Sequence, residues 1–421
     1  MAYYTSTAAQ STHGLLPRGF NLRAFQEVGS MKVCLVTGEF PPMEGGVGDY
    51  TKELATAMAA KGAEVCVITS KEAQGAEFSS FKVFPVIEKW GWRSWSEIVR
   101  FIGHEKPHVL HIQYQAAAYK MHPAINLLPW RLKLLRSRPL VITTFHDLRV
   151  PYLFPKAGIL REWVITIMGL GCDAVIVTNV EDLLKMRRKF ESCRFLSPPP
   201  IHHIPIGSNI RPAPPPGYNR DAWRARWGVA KEDILLCHFG FLNQTKGVEA
   251  LVKALHWLVK AGYPVKLLMV GGETGSSDPT NLEYARKIKD LIEDLGLEER
   301  VKWTGYTSPE EVSANLMASD ICVLPYRDGV SLRRGSLHAA LIHGLPVIST
   351  YPRVPIKELE DGLNIKLVAP DSPEAIAQAI VELSKKPELR QKLGDGARKL
   401  SALFGWEGIA EETLRLYREL A

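Results

Sequence analysis

One pattern constrains this chain more than any other: short apolar runs alternate with stretches of helical spacing, and they do so in two separate series. The first series has runs at Met31–Thr37, Glu64–Thr69, Val109–Ile112, Leu140–Phe145 and Ala174–Thr178. Short apolar runs bounded by turn residues, with helices between them, read as the buried strands of a parallel sheet. Between Ser197 and Gly217 the rhythm breaks into Pro198-Pro199-Pro200 and the proline-rich Pro212–Pro216, a composition that ends regular structure. The same rhythm then restarts with runs at Ile234–Phe239, Val265–Val270, Val301–Thr304, Ile321–Leu324 and Val347–Ser349. The fold class expected is α/β, with two domains of one architecture: residues 31–210 and 211–405. A length of 421 residues is too great for one ordinary core and agrees with that division. Trp406–Leu420 reads as a final amphipathic helix, so residues 406–421 form a separate closing segment. Residues 1–30 lack periodicity and read as a disordered N-terminal extension, with Met31 as a candidate start.

Composition removes several classes of function. At 46% hydrophobic and 23% charged residues the chain has the make-up of a globular protein, and no apolar run is long enough to span a bilayer. A formal charge of +7 suits an anionic small molecule or an acidic surface, and no nucleic-acid motif accompanies it. The six cysteines include no C-x-x-C pair, and several lie inside apolar runs. They predict a reducing, cytoplasmic compartment and no structural zinc.

Three loops carry the candidate chemistry. In the first, Pro41-Pro42-Met43-Glu44-Gly45-Gly46-Val47-Gly48 leads into Leu54, Ala55, Met58 and Ala59 at helical spacing. Gly45, Gly46 and Gly48 would let backbone N–H groups and a helix N-terminus approach a phosphate. The spacing departs from G-x-G-x-x-G, which disfavours a dinucleotide enzyme. In the second, Gly240-Phe241-Leu242-Asn243-Gln244-Thr245-Lys246-Gly247 places a lysine between glycines after a strand. In the third, the strand Ile321–Leu324 opens into Asp328, Gly329, Ser331, Arg333 and Arg334, and a short helix starts at Gly335-Ser336 and stops at Gly344. Two arginines beside a helix N-terminus make a seat for a diphosphate, or a turn with solvated cations. His146-Asp147 lies just past the strand ending at Phe145, the edge where open α/β sheets bind ligands. His111, within its strand, reads as structural.

Taken together, two Rossmann-like halves, the G-G-x-G loop, the G-F-L-x-x-x-K-G loop and the Ile321–Ser349 stretch resemble a glycosyltransferase of the two-Rossmann, GT-B type. More narrowly, the chain from Met31 to Ala421 is similar to the large retaining family 4, also called glycosyl transferases group 1. The resemblance implies a nucleotide-sugar donor in the cleft between the domains, and a final helix that crosses back to brace the first domain. It implies that Gly46 and its neighbours lie near the donor phosphate and acceptor, that His146 lies near the donor sugar, and that Lys246 binds the diphosphate. The family pairs that lysine with an arginine from a G-R-L segment; Phe241 stands in its place here. The family also carries two glutamates flanking seven residues, and these positions hold Ser331 and Ala339. Asp328 is the nearby carboxylate that could stand in for the first.

The expected function is therefore a retaining hexosyltransferase acting on a hydroxyl acceptor, with Lys246, Arg333, Arg334 and the Gly335 helix start stabilising the leaving diphosphate. With no D-x-D motif, neither a metal nor another cofactor is expected. A non-catalytic nucleotide-sugar binder or partner subunit, and a sugar-nucleotide epimerase, are the competing readings. Asn126–Arg138 mixes leucines, Trp130 and four cations; it reads either as a packed helix with a basic edge or as a peripheral contact with an anionic membrane.

Overall fold

The computed structural model describes residues 31–75, 77–148, 159–193, 196–272 and 280–421, and the statements below refer to these. Residues 1–30, read above as an extension, lie outside them.

Two parallel sheets organise the chain. The first uses β1 (Lys32–Thr37), β2 (Glu64–Ser70), β3 (Lys82–Ile87), β4 (Val109–Tyr114), β5 (Leu140–Phe145), β6 (Ala174–Val177) and β7 (Ile201–His203), in the order β3-β2-β1-β4-β5-β6-β7. The second uses β8 (Ile234–Phe239), β9 (Val265–Val270), β10 (Val301–Trp303), β11 (Ile321–Leu324), β12 (Val347–Thr350) and β13 (Lys366–Val368), in the order β10-β9-β8-β11-β12-β13. Around the first sheet lie α1 (Gly46–Ala60), α2 (Ser94–Glu105), α3 (Ala124–Lys133), α4 (Ile159–Gly171) and α5 (Val180–Glu191). Around the second lie α6 (Arg220–Arg226), α7 (Val248–Lys260), α8 (Thr280–Asp294), α9 (Pro309–Ala318), α10 (Gly335–Ile342), α11 (Pro373–Lys385) and α12 (Pro387–Ser401). The last helix, α13 (Trp406–Leu420), belongs elsewhere. Both halves are doubly wound α/β sheets, and together they form the two-Rossmann GT-B arrangement.

The central strands of each sheet are mostly apolar and buried along nearly their whole length. β4 is buried from end to end, and its His111 pairs in register with Leu35 on one side and Ile142 on the other. In a doubly wound sheet the strands all point the same way, so the loops at their carboxyl ends gather on one edge. The chain passes between domains in the proline-rich stretch: Ile206 packs in the first domain's core, whereas Ile210 packs against the second's.

Three strands escaped the sequence reading: β3, β7 and β13. All are sheet edges, and none is buried along its length in the way β4 is. An edge strand contacts one neighbour and keeps one side toward solvent, so selection for a continuous apolar run is weak, and β3 even contains Pro85.

Helix α13 returns to the first domain. Ile409, Ala410, Leu414, Leu416 and Tyr417 share one core with Tyr50, Leu54 and Met58 of α1. The Tyr417 hydroxyl lies 2.5 Å from His111 Nδ1, and His111 Nε2 lies 2.7 Å from Thr144 Oγ1. Burial pushes the His111 pKa down to about 3, so the ring is neutral and joins the strand to the helix as a hydrogen-bonding group.

Helix α3 is packed. Leu128 and Leu132 lie in the first core, Trp130 Nε1 donates to Ile167 O at 2.7 Å, and Arg138 pairs with Asp173 at 2.6 Å. The apolar face is thus spent inside the domain. Among the described residues no helix is long and apolar enough to cross a membrane.

Candidate functional site

The carboxyl edges of the two sheets face each other across a cleft holding a cavity of about 420 Å³. Gly46, Asp49, Gln115 and His146 line its first-domain wall; Lys246, Arg333, Arg334, Gly335 and Ser336 line the opposite wall.

The second-domain wall is built by close approach of two loops. Gly240, directly after β8, has φ +114°, a conformation that favours glycine, and a Cβ there would lie 3.5 Å from Lys246 Nζ. Gly247, at φ +66°, brings the lysine loop against the third loop: a Cβ there would meet Pro325 O at 2.1 Å. These glycines aim Lys246 at the amino end of α10, where its Nζ donates to Ser336 Oγ at 3.2 Å. Both Lys246 and Arg334 rest on the ring of Tyr326, at 5.2 and 4.6 Å from its centroid. Burial pushes the Lys246 pKa down to about 7, and the neighbouring Arg334 charge pushes the same way. In α10 the first backbone N–H bonded to a carbonyl of its own turn is that of Leu337, to Arg334 O at 2.9 Å. The N–H groups of Gly335 and Ser336 precede it, and a Cβ on Gly335 would meet nothing within 4 Å. Two cations and a helix N-terminus therefore converge on one spot, an arrangement that suits a diphosphate.

Asp328 does not line this cavity. Its carboxylate is held by Arg334 Nη2 at 2.6 Å and Arg333 Nη2 at 3.3 Å. The expectation that it replaces a glutamate near the donor sugar gives way to a different placement: it holds the two arginines. Ser331 is also outside the cleft; it borders a separate cavity of about 210 Å³ with Asn179 and His203.

The first glycine loop differs more. The buried Glu39 carboxylate accepts the Val47 N–H at 3.2 Å and so occupies the amino end of α1. A Cβ on Gly45 would lie 2.1 Å from Glu39 Oε1, and one on Gly48 would lie 3.0 Å from Glu39 O. These two glycines make room for a protein carboxylate and for the turn that carries it. The phosphate seat expected at Gly45 and Gly48 is thus taken up by the chain itself: the Glu39 carboxyl group, its pKa raised by burial, lies at Gly45, and the backbone of Glu39 and Phe40 at Gly48. Gly46 alone of the three lines the cleft, with open space where a Cβ would be.

His146 reaches the cavity as expected. Its Nε2 lies 3.0 Å from the side-chain amide of Gln113, which holds the ring in place. Burial holds its pKa at about 3, and its ring meets Tyr50 edge to face at 4.5 Å. A neutral imidazole can hydrogen-bond a sugar hydroxyl but cannot deliver a proton as an acid near neutrality. Among the described residues no three His, Cys, Asp or Glu side chains come together to hold a metal ion.

Two doubly wound domains facing across a cleft define a GT-B protein, and the cations and open helix end on one wall, opposite a neutral histidine, suit that cleft to an anion. The chain matches Glycosyltransferase Family 4 over residues 44–211 and Glycosyl transferases group 1 over residues 219–400. It belongs to that glycosyltransferase family, the two matches together covering most of the chain. A D-inositol 3-phosphate glycosyltransferase from Corynebacterium urealyticum is 27% identical over 209 residues, 49% of this chain and 48% of that protein. The chain thus spans about half the length of the curated relatives it matches. The fold is that of the sucrose-phosphate synthase of Thermosynechococcus elongatus, with a TM-score of 0.73 at 23% identity over 93% of this chain and 99% of that one. Anabaena Alr3699/HepE, solved with UDP and glucose, has a TM-score of 0.68 at 16% identity, over 92% and 99% of the two chains.

Proposed function

We propose that this protein is a retaining glycosyltransferase that moves a hexose from a nucleotide sugar to a hydroxyl acceptor. The observation that carries the reading is the convergence of Lys246, Arg334 and the amino end of α10 on the cleft. As the glycosidic bond breaks, negative charge gathers on the leaving diphosphate, and fixed cations and N–H dipoles aimed at it stabilise the transition state more than the ground state. Arg334 supplies the second cation that the family finds in the residue replaced here by Phe241. His146 takes a donor-sugar hydroxyl. Retention follows from the family resemblance, with the donor phosphate removing the acceptor proton.

Thermal shift with UDP, GDP and ADP tests the reading first, because a ligand of the native state raises its stability. UDP is the first to try, given the HepE complex. Transfer from the corresponding sugar nucleotide is then followed by mass spectrometry over an acceptor panel. Failure of every nucleotide to bind would sink the proposal. Binding without turnover would favour the non-catalytic reading, which Ser331 and Ala339 at the glutamate positions support. An epimer formed without acceptor would assign an epimerase. No metal or other cofactor enters the proposal: transfer is expected to keep its rate in EDTA, and a loss restored by Mg²⁺ or Mn²⁺ would count against it.

Donor affinity is expected to depend on pH through Lys246. Its pKa of about 7 in the empty cleft means that half the lysines there are neutral near neutrality. A nucleotide sugar's diphosphate carries no titrating proton in this range, and binding it holds the ammonium charged, which raises the lysine's pKa. Affinity is therefore full below about pH 6 and falls as pH rises through 7, by up to about tenfold per unit, until the bound-state value is passed. Calorimetric titration from pH 6 to 9 reads this directly. Lys246→Arg, always charged, is expected to flatten the profile. A flat wild-type profile would show that the lysine does not meet the diphosphate.

A further inference from the structure

The two arginines of the third loop are not equivalent. Arg334 lies over Tyr326 beside Lys246, whereas Arg333 turns toward the other domain, where its Nη1 is 3.7 Å from Asp182 Oδ2. Asp182 lies in the first turn of α5, just past the carboxyl end of β6, and is 1% exposed. Its backbone N–H donates to Asn179 Oδ1 at 2.9 Å, and Asn179 Nδ2 donates to its Oδ2 at 2.6 Å. That is a helix cap, and capping accounts for the local bonds. It does not account for a guanidinium arriving from 151 residues away in sequence, nor for burial of the carboxylate. Asp182 Oδ1 has no hydrogen-bond partner among the described residues. A carboxylate this buried needs a counter-charge, and Arg333 is the cation that reaches it. Arg333 is held on its own side by Asp328 at 3.3 Å. It thus forms a bridge from the second domain to the first, between the main cleft and the smaller cavity bordered by Asn179 and Ser331.

We propose that Asp182 and Arg333 are positioning residues that hold the two domains in the seating needed for transfer, without themselves binding the donor diphosphate. The inference rests on the transferase reading above for its catalytic consequence, but the bridge itself does not. The groups assigned to the diphosphate, Lys246, Arg334 and the α10 N–H groups, all belong to the second domain. Losing the bridge therefore leaves diphosphate binding alone, while the wall carrying His146 no longer stands in fixed register with the donor. The residues act on kcat rather than on nucleotide affinity.

The experiment is a double-mutant cycle on Asp182→Asn, Arg333→Ala and the pair together, with three readouts. The first is the Kd for whichever of UDP, GDP and ADP raises the wild-type melting temperature; the second is turnover of the matching glucose nucleotide. The third, independent of any ligand, is the radius of gyration by small-angle scattering. The expected result is a turnover loss of about tenfold that is the same in both single variants and the double variant, with Kd within about twofold of wild type and the same enlarged radius in all three. Additive losses, unchanged turnover, or a fall in nucleotide affinity matching that of Arg334→Ala would overturn it. If the wild type binds none of the three nucleotides, the transferase reading fails and scattering alone decides the bridge. If Asp182→Asn does not fold, Asn179→Ala, which frees the carboxylate from its orienting amide, takes its place in the cycle under the same criteria.

Discussion

Deleting residues 406–421 is expected to leave a chain that no longer folds cooperatively, because α13 supplies part of the first domain's core. Ile409, Leu414, Leu416 and Tyr417 are buried against α1, and burying side chains of this kind contributes roughly 1.5–3 kcal/mol each. Four of them together are comparable with the whole net stability of about 5–15 kcal/mol of an ordinary domain. Truncation also uncovers Leu54 and Met58 and takes the Tyr417 hydroxyl from His111. Two point variants separate these effects. Tyr417→Ala opens a cavity under the helix and is expected to cost about 3–5 kcal/mol, the range for large aromatic truncations. Tyr417→Phe keeps the packing but leaves His111 Nδ1 buried without its partner, which costs about 1–3 kcal/mol. Chemical denaturation of all three variants reads the order directly. A truncated protein that melts like the full chain would show that α13 merely decorates the surface.

The bracing helix was legible because its apolar positions repeat at helical spacing, and so were the central strands, which are mostly apolar. The edge strands β3, β7 and β13 were not, since their residues answer to one neighbour and to water. The second-domain half of the site was legible for a chemical reason: Lys246, Arg334 and Gly335 are cations and an open backbone next to strand ends, and those types say anion wherever they converge. The first-domain half was only partly so. Gly45 lacks a Cβ where the Glu39 carboxyl group comes close, and Gly48 where the backbone of Glu39 and Phe40 does; the sequence implied a phosphate there and did not point to Glu39. Its one signal was an acidic residue two positions past the end of β1, before the proline-glycine loop. Asp182 was not legible, since its pairing with Arg333 joins two domains and no local pattern encodes that.

Lys246→Ala and Arg334→Ala are each expected to weaken nucleotide-sugar binding by about 1.5–3 kcal/mol, the range for hydrogen bonds to charged groups, or roughly ten- to 150-fold. The two losses will not be equal, and their inequality follows from the geometry. Arg334 lowers the Lys246 pKa, so removing the arginine lets the lysine stay charged and offsets part of the loss. Against this, Arg334→Ala takes from Asp328 its closest cation and leaves it Arg333 alone, at 3.3 Å, so a less compensated carboxylate stands behind the wall where the diphosphate's charge must go. A paired charge left without its partner costs more than the pair contributed. Arg334→Ala is therefore the more damaging change above pH 7, where much of the wild-type lysine is neutral. Adding Asp328→Asn to Arg334→Ala is expected to recover part of the affinity, because it removes the charge that Arg333 alone compensates. Adding Asp328→Asn to Lys246→Ala recovers nothing, since Arg334 there still has a diphosphate to bind. Titration calorimetry on the four variants at pH 6 and pH 8 decides the matter. If Arg334→Ala binds nucleotide sugar like wild type while Lys246→Ala does not, the missing family arginine has not been replaced from this loop, and the cation over Tyr326 is part of the scaffold.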